Sequence, residues 1–144
     1  AIVLLVHSCI DRPCNDNNDL CNDTYESLFR IVSKTTGKDL IYGVDKIYDN
    51  SKIKLFSING VDTTFITYQP YKLAKDAYDS ILYFRLATKV DTIFMRLNDS
   101  DVDTLVLTYG LSESKCCAFN TIRNINYNNT NPLPNYNGTV ELRK

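Results

Sequence analysis

The chain has 144 residues, a formal net charge of −1 and 23% charged residues. This length favours one domain with its own core, and the small net charge argues against nucleic acid or a membrane surface as a partner. The aromatic residues are ten Tyr and six Phe with no Trp. Tyrosine suits half-buried strands and pocket walls because an apolar ring carries a polar hydroxyl.

The first eight residues, AIVLLVHS, look like the end of a secretory signal peptide. Their apolar run is shorter than the ~20 residues that span a bilayer and ends at the small Ser8. We predict residues 1–8 to be a signal remnant and residues 9–144 to be one domain. An N-terminal strand over Ile2–Val6 and a lipoprotein signal acylated at Cys9 are the alternatives.

The five cysteines indicate an oxidising, extracellular compartment. Cys116 and Cys117 are adjacent, and neighbouring residues of a strand point to opposite faces, so a bond between them would be strained. We expect at least one disulfide to join the N-terminal segment to one of them, and the pairing stays open. The residues assigned to disulfides are Cys14, Cys21, Cys116 and Cys117.

The Asn-x-Ser/Thr pattern of N-glycosylation occurs four times, each in a predicted turn or segment edge. The predicted glycosylation sites are Asn22, Asn98, Asn128 and Asn137. Together with the apolar start they favour a protein secreted from a eukaryotic cell.

The first predicted element after the cysteine-bearing loop is a helix over Thr24–Lys34. Tyr25, Leu28, Phe29 and Val32 recur at helical spacing, and Gly37 supplies a C-terminal stop. Three strands are predicted next, over Asp39–Val44, Ile53–Ile58 and Thr63–Tyr68. Tyr71–Tyr78 fits either a helical turn or a loop.

The middle of the chain predicts an antiparallel meander. Ser80–Ala87, Asp91–Leu97 and Thr104–Tyr109 each divide into two alternating sets of side chains, rich in β-branched and aromatic residues, with period two. The links Thr88–Val90 and Asn98–Asp103 are short enough for hairpins.

The last part of the chain predicts two further strands. Gly110–Lys115 is predicted as a turn, Cys116–Ile122 as a strand, Arg123–Asn137 as a surface loop and Thr139–Arg143 as the final strand. Many short strands in sequence favour a mainly β fold, either a closed barrel or a sandwich.

No pattern in the sequence predicts an enzyme, a metal site or a cofactor. The only histidine is His7, in the predicted signal segment, which argues against Ser-His-Asp, Cys-His and zinc chemistry. Asp99, Asp101 and Asp103 are interpreted as solvated turn residues. Calcium binding and glycoside hydrolysis are the weaker readings of these carboxylates.

The late part of the chain resembles the lipocalins, in particular the salivary lipocalins of blood-feeding arthropods such as ticks. The resemblance rests on the helix Thr24–Lys34 before the strands, on Asp101–Tyr109 followed by Cys116–Thr121, and on the closing run Gly138–Arg143. It implies a monomeric up-and-down antiparallel β-barrel with a short N-terminal helix. The family's Gly-x-Trp and an early-strand cysteine are absent.

The resemblance also implies that the barrel sequesters a host mediator, either a biogenic amine such as histamine or a bioactive lipid. Aromatic walls would hold an ammonium group, and an inward Arg96 would favour an acidic head group. The residues predicted to bind the ligand are Phe65, Tyr68, Tyr83, Phe84, Phe94, Arg96 and Tyr109. Glu141 could pair with an amine, although an exposed edge position is the other interpretation.

Two other functions compete with sequestration. The first is a secreted protein-binding module, such as an immune-evasion factor or protease inhibitor, with a filled core and an exposed apolar or aromatic patch. The second and weaker one is a glycan-processing enzyme. A ligand cavity inside a barrel distinguishes sequestration from both.

Overall fold

The computed structural model describes residues 22–72, 80–114, 117–135 and 138–144, and its regular elements are β-strands and a short 3-10 turn at Asn50–Lys52. The strands are β1 Tyr25–Val32, β2 Lys54–Asn59, β3 Asp62–Ile66, β4 Tyr68–Lys72, β5 Ser80–Leu86, β6 Thr92–Asn98, β7 Asp101–Ser114, β8 Cys117–Tyr127, β9 Leu133–Pro134 and β10 Val140–Arg143. The prediction of a mainly β fold is therefore confirmed.

The strands form two sheets rather than the predicted barrel. One sheet has the order β10-β1-β5-β4 and the other the order β3-β2-β6-β7-β8-β9. β10 runs parallel to β1, whereas the other neighbours are antiparallel. At one corner Thr24 of the β1 side bridges Thr121 of β8. Neither sheet closes on itself within the described residues, so the predicted up-and-down barrel is not what forms.

The chain passes between the sheets twice near its middle. It crosses at Thr67, between β3 and β4, and again over residues 87–91, between β5 and β6. The five-residue link over residues 87–91 is long enough to span two packed sheets about 10 Å apart. The predicted β6–β7 hairpin is confirmed, but β5 pairs with β1 and β4. The predicted three-strand meander is therefore wrong at its first link, because β5 and β6 belong to different sheets.

The predicted helix Thr24–Lys34 is wrong because this segment is strand β1. Tyr25, Ser27, Phe29 and Ile31 are buried at every second position, which is the period of a strand. Because Ser27 is polar, the sequence does not show the buried positions of β1 as an unbroken row of apolar residues. Its hydroxyl donates a hydrogen bond of 2.6 Å to Oδ1 of Asn135, which removes the cost of burying it.

The predicted strand Asp39–Val44 is also wrong. Oδ1 of Asp39 accepts hydrogen bonds from the main-chain N–H groups of Ile41, at 2.7 Å, and Tyr42, at 2.8 Å. This local bonding competes with a sheet ladder and favours a turn. Leu40 and Ile41 are nevertheless buried, so the loop contributes to the core.

The remaining strand predictions differ mainly in length. The predicted strands over Ile53–Ile58, Ser80–Ala87, Asp91–Leu97 and Thr139–Arg143 correspond to β2, β5, β6 and β10. Thr63–Tyr68 is divided between β3 and β4, and β7 continues through the predicted turn to Ser114. The predictions for residues 1–8, Cys14, Cys21, Cys116 and Asn137 lie outside the described residues, as does most of Tyr71–Tyr78.

The core lies between the two sheets and is filled by side chains. Phe29, Leu82 and Phe84 of the four-stranded sheet are fully buried in one cluster with Ile93 and Leu105 of the six-stranded sheet. Side chains therefore occupy the space in which a barrel would hold its ligand.

Candidate binding face

The outer face of the six-stranded sheet carries three phenylalanines on adjacent strands, which we call the aromatic cluster: Phe56, Phe65 and Phe94. Phe56 of β2 lies opposite Phe65 of β3 and Phe94 of β6. Leu55 and Met95 belong to the core, so their neighbours Phe56 and Phe94 point away from it. The Phe56 and Phe94 rings stack at 5.5 Å, and Phe56 and Phe65 lie 6.1 Å apart.

Phe56 is the centre of the aromatic cluster. It is only 9% exposed, yet it does not belong to the core cluster, so its own surface neighbours shield it. The guanidinium carbon of Arg96 lies 5.7 Å from the centre of its ring, within the range of a cation–π contact. Phe65 is 68% exposed and presents a free ring beside this group.

Further apolar side chains extend the aromatic cluster across the sheet. Ile58, 51% exposed, shares the outer face of β2 with Phe56, and Val102, 46% exposed, lies opposite Arg96 on β7. Isolated exposed apolar residues are ordinary, whereas a contiguous group on one face marks an interaction surface.

Basic side chains border one end of the aromatic cluster. An open crevice of about 310 Å³ is lined by Lys52, Lys54, Arg96 and Asp99, together with Ser51 and Asn98. Three cations thus face one carboxylate, and this end of the face favours acidic groups on a partner.

The outer face of the four-stranded sheet has a different character. Glu141 of β10 accepts hydrogen bonds from Arg30 of β1 at 2.5 Å and from Arg143 at 3.1 Å. The hydrogen bond from Arg30 lowers the pKa of Glu141. Arg85 is exposed on β5 in the same sheet. This face carries paired charges of both signs, together with one aromatic pair, Tyr71 and Tyr83, whose rings lie 6.5 Å apart.

The structure brings together three of the seven residues predicted to bind a ligand. Phe65, Phe94 and Arg96 converge around Phe56, on the outside of the sheet rather than in an interior cavity. Phe56 itself was not predicted. The alternation of Phe56 and Ile58 against Leu55 in β2 is the signal that could have identified it.

The other four predicted ligand residues lie elsewhere. Phe84 is fully buried in the core. The hydroxyl of Tyr68 donates to the carbonyls of Asn50, at 2.6 Å, and Ile53, at 3.0 Å. The Tyr83 hydroxyl donates to Glu26 at 2.7 Å, and that of Tyr109 donates to the Val90 carbonyl at 2.6 Å. These tyrosines hold strands and loops in place. Tyr68 also lines an open crevice of about 330 Å³ together with Phe65, whereas Tyr83 belongs to the other sheet.

The carboxylates interpreted as solvated turn residues have different environments. Asp99 is exposed in the turn between β6 and β7, whereas Asp103 is 3% exposed on the core side of β7. Lys144 lies 2.7 Å from both Asp101 and Asp103. The Tyr127 hydroxyl donates to Asp103 at 2.6 Å, and the Tyr48 hydroxyl donates to Asp101 at 2.8 Å. The interpretation of Asp103 as solvated is therefore wrong.

One ammonium group, that of Lys144, serves both carboxylates of this network. Burial works against ionisation of Asp101, but the hydrogen bonds from Lys144 and Tyr48 lower its pKa. Burial alone would lower the pKa of Lys144, whereas its two carboxylate partners raise it. The part of the chain that is described contains no cluster of three or more His, Cys, Asp or Glu able to hold a metal ion.

Two of the predicted glycosylation sites have defined side-chain contacts. Oδ1 of Asn98 accepts from the main-chain N–H of Ser100 at 2.9 Å, in the exposed β6–β7 turn. Nδ2 of Asn128 donates to Asp103 at 2.7 Å, in a turn where Asn128 has a φ of 47°. Asn22 is exposed. Glycosylation at these positions stays a prediction.

Two further crevices lie at the edges of the four-stranded sheet. One, of about 470 Å³, opens between β9 and β10 and is lined by Lys34, Leu133, Val140 and Arg143 among others. The other, of about 380 Å³, is lined by Glu26, Tyr71, Tyr83 and Asn135 among others. Both open to solvent at the surface.

Comparison of the chain with protein-family models, curated protein sequences and solved structures found no match. The described residues include no helix of the length and apolarity needed to cross a membrane. The site is therefore interpreted from its own geometry.

Proposed function

We propose that this chain is a secreted protein-binding module that captures a partner through the outer face of its six-stranded sheet. The observation that carries the proposal is the aromatic cluster with Arg96, at whose edge Phe65 is 68% exposed. Aromatic side chains, phenylalanine included, and arginine are enriched in protein interfaces.

The filled core supports this function over sequestration of a small mediator. A carrier buries most of its ligand in a cavity of several hundred Å³, and here Phe29, Phe84 and Leu105 are fully buried where the two sheets meet. Binding of a biogenic amine or a bioactive lipid stays an untested prediction, and native mass spectrometry with added mediators would detect it as a one-to-one mass increase.

Secretion is part of the same proposal. The apolar first residues, the five cysteines and the four Asn-x-Ser/Thr patterns support it. The partner would then be an extracellular protein that presents an apolar anchor beside acidic groups, since Lys52, Lys54 and Arg96 lie at one end of the aromatic cluster.

The first test compares capture of plasma proteins by the wild-type chain and by the Phe65→Ser variant, each secreted from eukaryotic cells and immobilised. We expect specific proteins retained by the wild type to fall at least tenfold for Phe65→Ser in quantitative mass spectrometry. Truncating one well-placed aromatic anchor costs about 2 kcal/mol or more.

Val44→Ser is the matched control, because Val44 is 93% exposed in the loop between β1 and β2, away from the aromatic cluster. It should leave the captured set unchanged. If both variants retained the same proteins as the wild type, the outer face of the six-stranded sheet would not be the binding surface.

A further inference from the structure

β3 ends the six-stranded sheet with one side of its main chain unpaired. Its only strand partner in the described sheet is β2, and residues 62–65 are exposed. Asn59 pairs with Asp62 across the two-residue turn Gly60-Val61, so this pair exchanges both hydrogen bonds. The alternation then points the main-chain groups of Thr63 and Phe65 away from β2.

The other described sheet edges carry features that discourage pairing. β4 contains Pro70, and β9 is two residues long and contains Pro134. β10 is four residues long, with Glu141 and Arg143 on its outer face. β3 has no Pro, no Lys or Arg and no irregularity in its register with β2. Asp62 is its one charged residue, so β3 has less of the protection that proteins ordinarily give an exposed edge.

The residues of β3 are complementary to a second copy of themselves. In an antiparallel pair centred on Thr64, Thr63 of each copy faces Phe65 of the other. These are the two residues whose N–H and C=O groups point outward, so each such pair would exchange both main-chain hydrogen bonds. Asp62 would face Ile66, so no like charges are opposed.

We propose that two copies of the chain pair through their β3 edges around a two-fold axis at Thr64. Such a contact is self-complementary, as two-fold symmetry requires, and it joins the two six-stranded sheets into one. The two Phe65 rings become diagonal neighbours, within the ~7–8 Å over which aromatic side chains interact. The aromatic clusters of both copies then form one continuous strip.

The pairing is weak and depends on concentration. One five-residue strand from each copy buries less than the ~1,200 Å² of a standard stable interface. A dimer therefore replaces the monomer expected from the sequence only at high protein concentration. This proposal does not depend on the identity of a partner or on the proposed function.

The test is sedimentation equilibrium over a concentration series, with a non-reducing gel to identify any covalent dimers. The non-covalent mass of the wild type should rise from that of one 16.4 kDa chain towards twice that value. Thr63→Pro should stay monomeric, because proline removes an outward N–H without taking a hydrogen bond from β2. Thr63→Val, which keeps the N–H, should dimerise like the wild type.

A pair of double variants tests the register and does not rely on proline being tolerated. Thr63→Lys with Phe65→Glu places opposite charges across the two-fold axis and should dimerise, whereas Thr63→Glu with Phe65→Glu opposes like charges and should not. A wild type that is monomeric throughout, or double variants with equal dimerisation, would overturn the proposal.

Discussion

Lys144 shows how single residues at one end of the sandwich depend on one another. Its ammonium group binds two carboxylates, Asp101 and the buried Asp103. The Tyr48 hydroxyl donates a hydrogen bond to Asp101, and the Tyr127 hydroxyl donates one to Asp103. Breaking a buried ion pair leaves a charge without compensation, which costs far more than the net contribution of the pair. This network therefore ties the residue that follows β10 to β7.

We predict that the free energy of unfolding falls as the pH drops below about 4, the unfolded pKa of Asp. The pKa of Asp101 is lower in the folded chain, so its contribution is present above the unfolded pKa and disappears as the pH falls through the folded one. Urea titrations at several pH values would measure this dependence.

Asp101→Asn should lower stability at pH 7 and flatten the acid limb of the profile. Asp99→Asn, at an exposed turn position two residues earlier, is the matched control and should leave the stability at pH 7 unchanged. An acid limb of the same slope in wild type and Asp101→Asn would contradict this account of the network.

At the scale of elements, Asn135 is the clamp between the two sheets. Its Nδ2 donates to the carbonyl of Glu26 in β1 at 2.9 Å and to that of Ile122 in β8 at 3.2 Å. Its Oδ1 accepts from the Ser27 hydroxyl. One side chain thus connects strands of different sheets and satisfies a buried serine.

Asn135→Ala is predicted to lower the free energy of unfolding by about 2–3 kcal/mol, because it removes several hydrogen bonds and leaves Ser27 unsatisfied. Ser27→Ala removes one of these bonds and should cost about 1 kcal/mol. Asn131→Ala, at an exposed neighbouring position, is the control. Equal losses for Asn135→Ala and Asn131→Ala in chemical denaturation would show that Asn135 does not clamp the sheets.

The sequence predicted strands where the alternation was unbroken and failed where a polar side chain interrupted it. β6 alternates cleanly, and its prediction matched it closely. β2 and β5 were also predicted as strands, although each has two adjacent buried residues. β1 was predicted as a helix because the polar Ser27 interrupts the row of apolar residues that faces the core. Asp39–Val44 was predicted as a strand, but Asp39 accepts local hydrogen bonds that favour a turn there. These are long-range or turn-specific contacts, which periodicity does not report.

The same reasoning explains what was predicted of the binding face. Phe65, Phe94 and Arg96 were predicted to line a ligand pocket inside a barrel, because alternation does not say which row faces in. Which row of side chains faces the core depends on the sheet to which each strand belongs. The assignment of β5 to the other sheet and of Phe56 to the surface follows from it.

At the scale of the whole molecule, the outer faces of the two sheets differ in the side chains that they expose. The four-stranded sheet exposes paired charges, and the six-stranded sheet exposes the aromatic cluster and its basic border. Arg85 on β5 and Arg96 on β6 are exposed strand arginines that lie on different faces. This pair offers a matched comparison of the two surfaces.

The most direct measurement is the dissociation constant of a captured plasma partner for the wild type, Arg96→Ser and Arg85→Ser, determined by biolayer interferometry. We predict that Arg96→Ser weakens binding at least tenfold, because Arg96 covers Phe56 and borders the face that the partner occupies. Arg85→Ser should bind within about twofold of the wild type, since rim or remote charges contribute little. A loss with Arg85→Ser and none with Arg96→Ser would place the interface on the four-stranded sheet and contradict the account.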